Sequence, residues 1–200
     1  MDLLHTFGNI DIYLFDQLLK GRIAPDDRIL DAGCGSGRNA HYLLREGFDI
    51  HGVDENPRAV AAFGELAAEL GRPLKEGHAR QAFLDALPYD ASYFDVVICS
   101  AVLHFARDDH HFEGMVTELF RVLRPGGLFV SRLASSAGIE SQVRWLDGRR
   151  AHLPDGSERY LVDEAQLMAL TTAHGQLLDP LKTTIVHGQR AMTTWVVRKR

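Results

Sequence analysis

The chain has 200 residues, 46% apolar and 24% charged, the composition of an ordinary water-soluble globular protein. Its 22 basic and 27 acidic side chains leave a formal charge of −5 with no basic run beyond Arg149-Arg150 and Arg198-Lys199-Arg200, so a bare polynucleotide is not an expected partner. No apolar stretch approaches the roughly 18 residues of a membrane span, and Met1 to His5 lacks the basic and apolar regions of a secretory leader, so no membrane partner is expected and the cytoplasm is the expected location.

In chain order, Ile10, Leu14, Phe15, Leu18 and Leu19 recur at helical spacing ahead of Gly21, which predicts an amphipathic helix over 10–20. Strands are expected near 28–32, 48–53, 74–81, 94–99 and 127–133, and helices near 38–46, 57–70 and 109–123. Asn56-Pro57 is a good helix start, because proline in the first turn gives up no needed donor. Arg124-Pro125-Gly126-Gly127 ends a helix and turns the chain into the fifth strand. Such alternation implies a parallel sheet covered by helices on both faces. Residues 136–160 are rich in Gly, Arg, Trp and Ser, with a turn at Leu153 to Ser157. A helix over 163–172 follows, with a capped start at Val162-Asp163-Glu164, and 191–198 reads as a strand. No repeat or linker interrupts the chain, so one domain over 1–200 is expected.

The most informative stretch is Ile29-Leu30-Asp31-Ala32-Gly33-Cys34-Gly35-Ser36-Gly37-Arg38-Asn39. A strand that ends in a glycine-rich turn lets main chain approach a ligand closely. Asp54 stands nineteen residues past Gly35, at the tip of the next expected strand, where a carboxylate accepts both ribose hydroxyls of an adenosine. The loop departs from the dinucleotide fingerprint, whose third glycine would fall at Arg38. Asp31 would repel a pyrophosphate and suits a ligand carrying a positive amino group. Cys34 and Cys99 sit at expected strand ends beside the loop; they read as reduced thiols, with a redox pair as the alternative. No metal site is expected from them.

The segment Asp31 to Gly37 resembles the nucleotide-binding loop of class I S-adenosyl-L-methionine-dependent methyltransferases. The resemblance continues through Asp54, Leu87-Pro88-Tyr89, Phe94-Asp95-Val96-Val97, Val102-Leu103-His104 and Arg121 to Gly127, and so covers about 28–135. It implies an α/β, doubly wound, mostly parallel seven-stranded sheet closed by an antiparallel C-terminal hairpin, with 177–181 and 191–198 as the hairpin strands. Residues 1–24 then form an N-terminal helix or cap, 25–135 the cofactor-binding core, and 136–200 a lid-like region and the hairpin.

The implied cofactor is S-adenosyl-L-methionine and the implied partner a small-molecule methyl acceptor. Main-chain groups of Ala32, Gly33 and Gly35 would contact the methionine portion and ribose, and Asp31 its amino group. Asp54, with Glu55 or Asn56 as the alternatives, would take the ribose hydroxyls. Many relatives place an aspartate four residues before Leu-Pro to read the adenine amino group; here that position is Phe83, expected to pack on the ring while Asp85 or main chain takes the amino hydrogen, with an ordinary core aromatic as the alternative for Phe83. Ser100 and Ala101 would pass under the sulfonium. His104 is the titratable residue of this stretch and a candidate general base, with a place in the pocket wall as its alternative; His110 and His111 are expected to face solvent. Arg132 would pair with an anionic acceptor or with a neighbouring loop. Phe7, Ile12, Tyr13, Phe105, Trp145 and Tyr160 are further wall or lid candidates. Two other readings share this sheet logic: an NAD(P)-dependent oxidoreductase, and a cofactor-binding partner protein without turnover.

Overall fold

The computed structural model describes residues 2–200. In chain order the elements are α1 (Leu3–Phe7), α2 (Ile12–Leu19), β1 (Arg28–Ala32), α3 (His41–Glu46), β2 (Asp49–Asp54), α4 (Pro57–Glu69), β3 (Ala79–Gln81), β4 (Phe94–Ser100), α5 (Asp109–Val122) and β5 (Leu123–Ser135). There follow β6 (Arg144–Asp147), β7 (Arg150–His152), β8 (Glu158–Tyr160), α6 (Glu164–His174), β9 (Gly175–Leu177), β10 (Lys182–Val186) and β11 (Arg190–Lys199).

The main sheet has eight strands in the order β3-β2-β1-β4-β5-β11-β10, with β9 also on β11. Strands β1 to β5 pair in parallel, and β11 pairs antiparallel with β5, β9 and β10. The chain runs outward from β1 to β3 and then crosses back to β4, so a crevice opens at the carboxyl ends of β1 and β4.

Strand periodicity builds the two core layers, because successive side chains point to opposite faces. Leu30, Val97, Cys99, Phe129, Leu133, Trp195 and Val197 pack on one face with Phe112, Val116 and Leu119 of α5 and Leu167 of α6. Ile29, Val96, Ile98, Leu128, Val130 and Val196 pack on the other with Leu14 of α2, Leu43 and Leu44 of α3, and Phe63 and Ala67 of α4. Trp195 is wholly buried, and its indole Nε1 donates to Thr171 Oγ1 at 2.8 Å, which satisfies the one polar atom of that ring.

The expected helix starts at Asn56 and Asp163 are both N-caps: Asn56 Oδ1 accepts from the Arg58 amide at 3.0 Å and Asp163 Oδ1 from that of Gln166 at 2.8 Å. Several boundaries differ from expectation. The helix expected from 38 begins at His41, because Gly37 has φ +82° and the chain turns there on bonds from the Gly37 amide to Cys34 O and from the Ala40 amide to Gly37 O. The third strand shortens to Ala79–Gln81 because Lys75 to His78 form a turn with Gly77 at φ +81°.

The hairpin partner of β11 is not 177–181. It is split into β9 and β10 with Leu178 to Leu181 as the break. Pro180 has no N–H to offer a ladder, and the neighbouring Asp179 turns to α2 and beyond, accepting from Gln17, Lys20 and Arg22 at 2.7–3.1 Å. Most of the expected lid, 136–160, is ordered as a three-stranded antiparallel sheet, β6-β7-β8. Tyr160 is core rather than lid: it stacks on Phe112 at 4.6 Å and its hydroxyl donates to Asp109 at 2.8 Å. Trp145 is half exposed on β6. Among the described residues no helix is long and apolar enough to cross a membrane.

At the opposite end of the sheet from the crevice, Asp49, His51 and His78 bring one potential ligand atom each within 4.8 Å of one another. The two imidazoles stack face to face, 3.9 Å between centroids and 19° between planes. Parallel rings direct their in-plane nitrogen lone pairs side by side rather than toward one point, so the trio is a packed histidine pair with an aspartate at its edge.

Candidate functional site

A cavity of about 580 Å³ lies over the carboxyl ends of β1, β2 and β4. Seven of the residues expected at a cofactor site line it: Gly33, Asp54, Glu55, Phe83, Asp85, Ser100 and Ala101. Gly33 follows β1 and has φ +79°; a Cβ there would lie 2.3 Å from Val102 Cγ2, so only glycine lets the loop pass this wall. Gly35, at φ +53°, faces open space, since a Cβ built on it meets nothing within 4 Å. Gly35 itself does not line the cavity, and its main chain is bare on the side a Cβ would occupy.

Asp54 ends β2 and is tied to that loop. Its Oδ2 accepts the Gly35 amide at 3.0 Å and its Oδ1 the Asn56 amide at 2.9 Å. Each carboxylate oxygen has more than one acceptor site, so both retain capacity toward the cavity. Ser100 Oγ, at the end of β4, is buried with no protein partner. Ala101 adopts φ +64°, a left-handed conformation rare outside glycine, and its amide donates to Arg132 O at 2.7 Å.

Asp31 and Ala32 stand behind the loop rather than on the cavity wall, both buried in β1. Burial raises the Asp31 carboxyl to about 7, against the pull of the Arg38 charge and with a push from Asp54. A carboxyl held so far above its ordinary range gains from a cationic partner. Burial likewise raises the thiols of Cys34 and Cys99, which are free and inert in this state.

Phe83 is 61% exposed and flanks the cavity, so it is no core aromatic. Asp85 lines the same wall, 3.7 Å from His111 Nε2. His111 was expected in solvent and instead faces the cavity with Arg107 and Met115. The reason is helix phase: Asp108 caps α5 by accepting the His111 amide at 2.7 Å, and His111 and Met115 are then one turn apart on the inner face. The i, i+4 spacing with Met115 is the signal in the sequence that could have found it.

His104 and Arg132 belong to a second cavity, about 270 Å³, that shares Ala101 with the first. Burial lowers the His104 imidazole to about 4, helped by the charge of Arg159. Its Nδ1 accepts from the Ala134 amide at 3.3 Å, which assigns the neutral ring's proton to Nε2. Arg132 binds Asp11 Oδ2 at 3.2 Å and lies over the ring of Tyr13, while its Nε is buried without a partner. Of the N-terminal wall candidates, Tyr13 bonds Thr184 Oγ1 at 2.9 Å, Phe7 packs on Phe15 and Tyr42, and Ile12 is exposed.

The sequence matches a family described as a methyltransferase domain over residues 30–131. An uncharacterized methyltransferase of Bacillus subtilis (strain 168), YodH, is 34% identical over 127 residues, 64% of this chain and 48% of the relative. A malonyl-[acyl-carrier protein] O-methyltransferase of Herminiimonas arsenicoxydans is 32% identical over 163 residues, 74% of this chain and 56% of the relative. The chain spans about half the length of the curated relatives it matches. The PH0226 protein of Pyrococcus horikoshii OT3 has the same fold, with a TM-score of 0.76 at 16% identity over 94% of this chain and 89% of the other. With the glycine loop, the clasped Asp54 and the strand order already in place, these matches put the chain in the class I S-adenosyl-L-methionine-dependent methyltransferase family.

Proposed function

We propose that this chain binds S-adenosyl-L-methionine in the 580 Å³ cavity and transfers its methyl group to a small-molecule acceptor. The observation that carries the reading is the Asp54 carboxylate, held by two main-chain amides beside a loop that is bare at Gly35. The residues present fit the cofactor: Asp54 for the ribose hydroxyls with Glu55 beside it, Phe83 against the adenine, Asp85 or main chain for its amino group, and the orphaned Ser100 Oγ as a free polar group. Asp31 offers charge to the amino group, directly or through water.

When bound, S-adenosyl-L-methionine supplies an electrophilic methyl group on a positively charged sulfur. What remains for the protein is to hold the acceptor in line and keep water out, and proximity and desolvation supply most of the rate for such a transfer. His104 serves this better as a donor than as a base. Its Nδ1 lone pair is occupied and burial keeps the ring neutral, so Nε2–H orients an acceptor group. Residues 25–135 are the cofactor-binding core and 136–200 complete the acceptor side, in one domain at work in the cytoplasm.

Calorimetric titration with S-adenosyl-L-methionine, S-adenosyl-L-homocysteine and NAD tests the reading. Binding of the two adenosyl ligands with NAD silent is expected; binding of NAD alone overturns it and restores the oxidoreductase reading. Binding with no turnover on any acceptor leaves the partner-protein reading instead.

A further inference from the structure

The 270 Å³ cavity beside the cofactor site is walled by three arginines from three different strands: Arg132 of β5, Arg159 of β8 and Arg190 of β11. Its volume falls just below the roughly 300 Å³ at which drug-sized ligand sites begin, which suits a smaller molecule. Guanidinium groups gathered in one cavity repel one another unless anions compensate them, and here compensation is incomplete. Arg132 has Asp11 at 3.2 Å, and Arg190 has Asp155 at 4.0 Å. Arg159 has no carboxylate partner among the described residues: its guanidinium lies over Phe105 and donates to the Glu158 carbonyl, while the Glu158 carboxylate pairs with Arg150. Three positive charges thus face two negative ones, with His104 neutral between them.

The hydrogen-bonding inventory has the same bias. Arg132 Nε is a buried donor with no acceptor, and His104 Nε2–H is a donor on the same wall. What such a cavity lacks is one acceptor group carrying one negative charge. Planar guanidinium groups match a carboxylate in two-pronged geometry. A phosphate monoester carries about −1.5 to −2 at neutral pH and exceeds the single unmatched charge. Ala101 is common to both cavities, so a ligand anchored on the arginines extends toward the cofactor side at that residue.

Building on the methyl-transfer reading of the larger cavity, we propose that the smaller one is the acceptor site and that it selects a small molecule bearing one carboxylate, anchored by Arg159 and Arg190 beside Arg132. The carboxylate is the handle. Arg159 and Arg190 determine specificity and lie outside the cofactor wall, so their loss leaves cofactor affinity intact.

The test is calorimetric titration of the protein, with and without saturating S-adenosyl-L-homocysteine, using benzoate, phenylacetate, benzamide and phenyl phosphate at millimolar concentrations. At least one of the two carboxylates should bind at least tenfold more tightly than benzamide. Arg159→Gln and Arg190→Gln, both at solvent-accessible side chains, should each weaken that carboxylate about tenfold with S-adenosyl-L-homocysteine affinity unchanged. Equal affinity for acid and amide, no binding of either carboxylate, or carboxylate binding indifferent to both substitutions overturns the proposal. Tighter binding of phenyl phosphate replaces the carboxylate with a phosphoester. Failure of S-adenosyl-L-homocysteine to bind counts against the methyl-transfer reading instead, because the anion titration of the unliganded protein still reports on the arginines.

Discussion

Asp54 and Gly35 lie nineteen residues apart and are joined by a 3.0 Å hydrogen bond from the glycine amide to the carboxylate. One side chain thereby clasps the glycine loop while it keeps acceptor capacity toward the cavity. Asp54→Ala should weaken S-adenosyl-L-methionine binding by about 1.5–3 kcal/mol, the scale of a hydrogen bond to a charged group. Titration calorimetry on the refolded variant checks this, and unchanged affinity removes Asp54 from the ribose site.

Asp31 ties stability to pH and, on the proposed reading, cofactor affinity as well. Burial lifts its carboxyl from 3.8 to about 7 in the folded chain. The folded state therefore retains a proton between these values that the unfolded state has released. Stability from this group is full below pH 3.8 and is lost as pH rises through 7. A cationic amino group binds the ionised form, so cofactor affinity should climb by up to about tenfold per pH unit below 7 and level off above it. Dissociation constants measured across this range should show that bend, and Asp31→Asn should bind more weakly with a flat profile.

Two buried histidines act in the opposite sense on stability. His51 and His104 are both lowered from 6.5 to about 4 by burial, His51 also by the neighbouring charge of His78 and His104 by that of Arg159. The unfolded chain takes up these protons first, so the stability present above pH 6.5 is lost as pH falls toward 4, at most about 3 kcal/mol per group. With two groups against one, the melting temperature should rise from pH 4 to 6.5. His51→Phe leaves His104 against Asp31 and should remove most of that slope; an unaltered slope assigns it to other groups.

Ala101 is in a left-handed conformation at the wall between the two cavities. For a non-glycine residue this costs roughly 1–2 kcal/mol, and glycine's greater unfolded freedom returns about 0.5–1. Chemical denaturation of Ala101→Gly should therefore give a stability within about 1 kcal/mol of the parent. Ala101→Val adds a branched side chain at the same strained φ and should lose about 2 kcal/mol or more. It should also block ligands from both cavities, which binding assays would read independently of stability.

The departures from the local pattern share a cause. The strand pattern, the caps at Asn56 and Asp163 and the glycine loop are local, each written in a few consecutive residues, and all stand in the structure. The hairpin partner was misplaced because Asp179 is drawn to Lys20 and Arg22, 157 or more residues away in the chain. Tyr160 looked like a lid residue because its partner Phe112 lies on a distant helix. His111 looked solvent-facing because its inner phase depends on which side of α5 meets the sheet.

By itself the sequence determined the parallel α/β alternation, the loop at Gly33 and Gly35, and the carboxylates at Asp31 and Asp54, because backbone freedom and residue spacing along one strand–turn–helix unit govern all of these. Only the tertiary structure decided that Arg132, Arg159 and Arg190 share one cavity, that Ala101 is the wall between that cavity and the larger one, and that His104 is buried and neutral. These are properties of strands whose arginines stand 27 to 58 residues apart in the chain, where packing and the removal of water set the charge state of each group and the company it keeps.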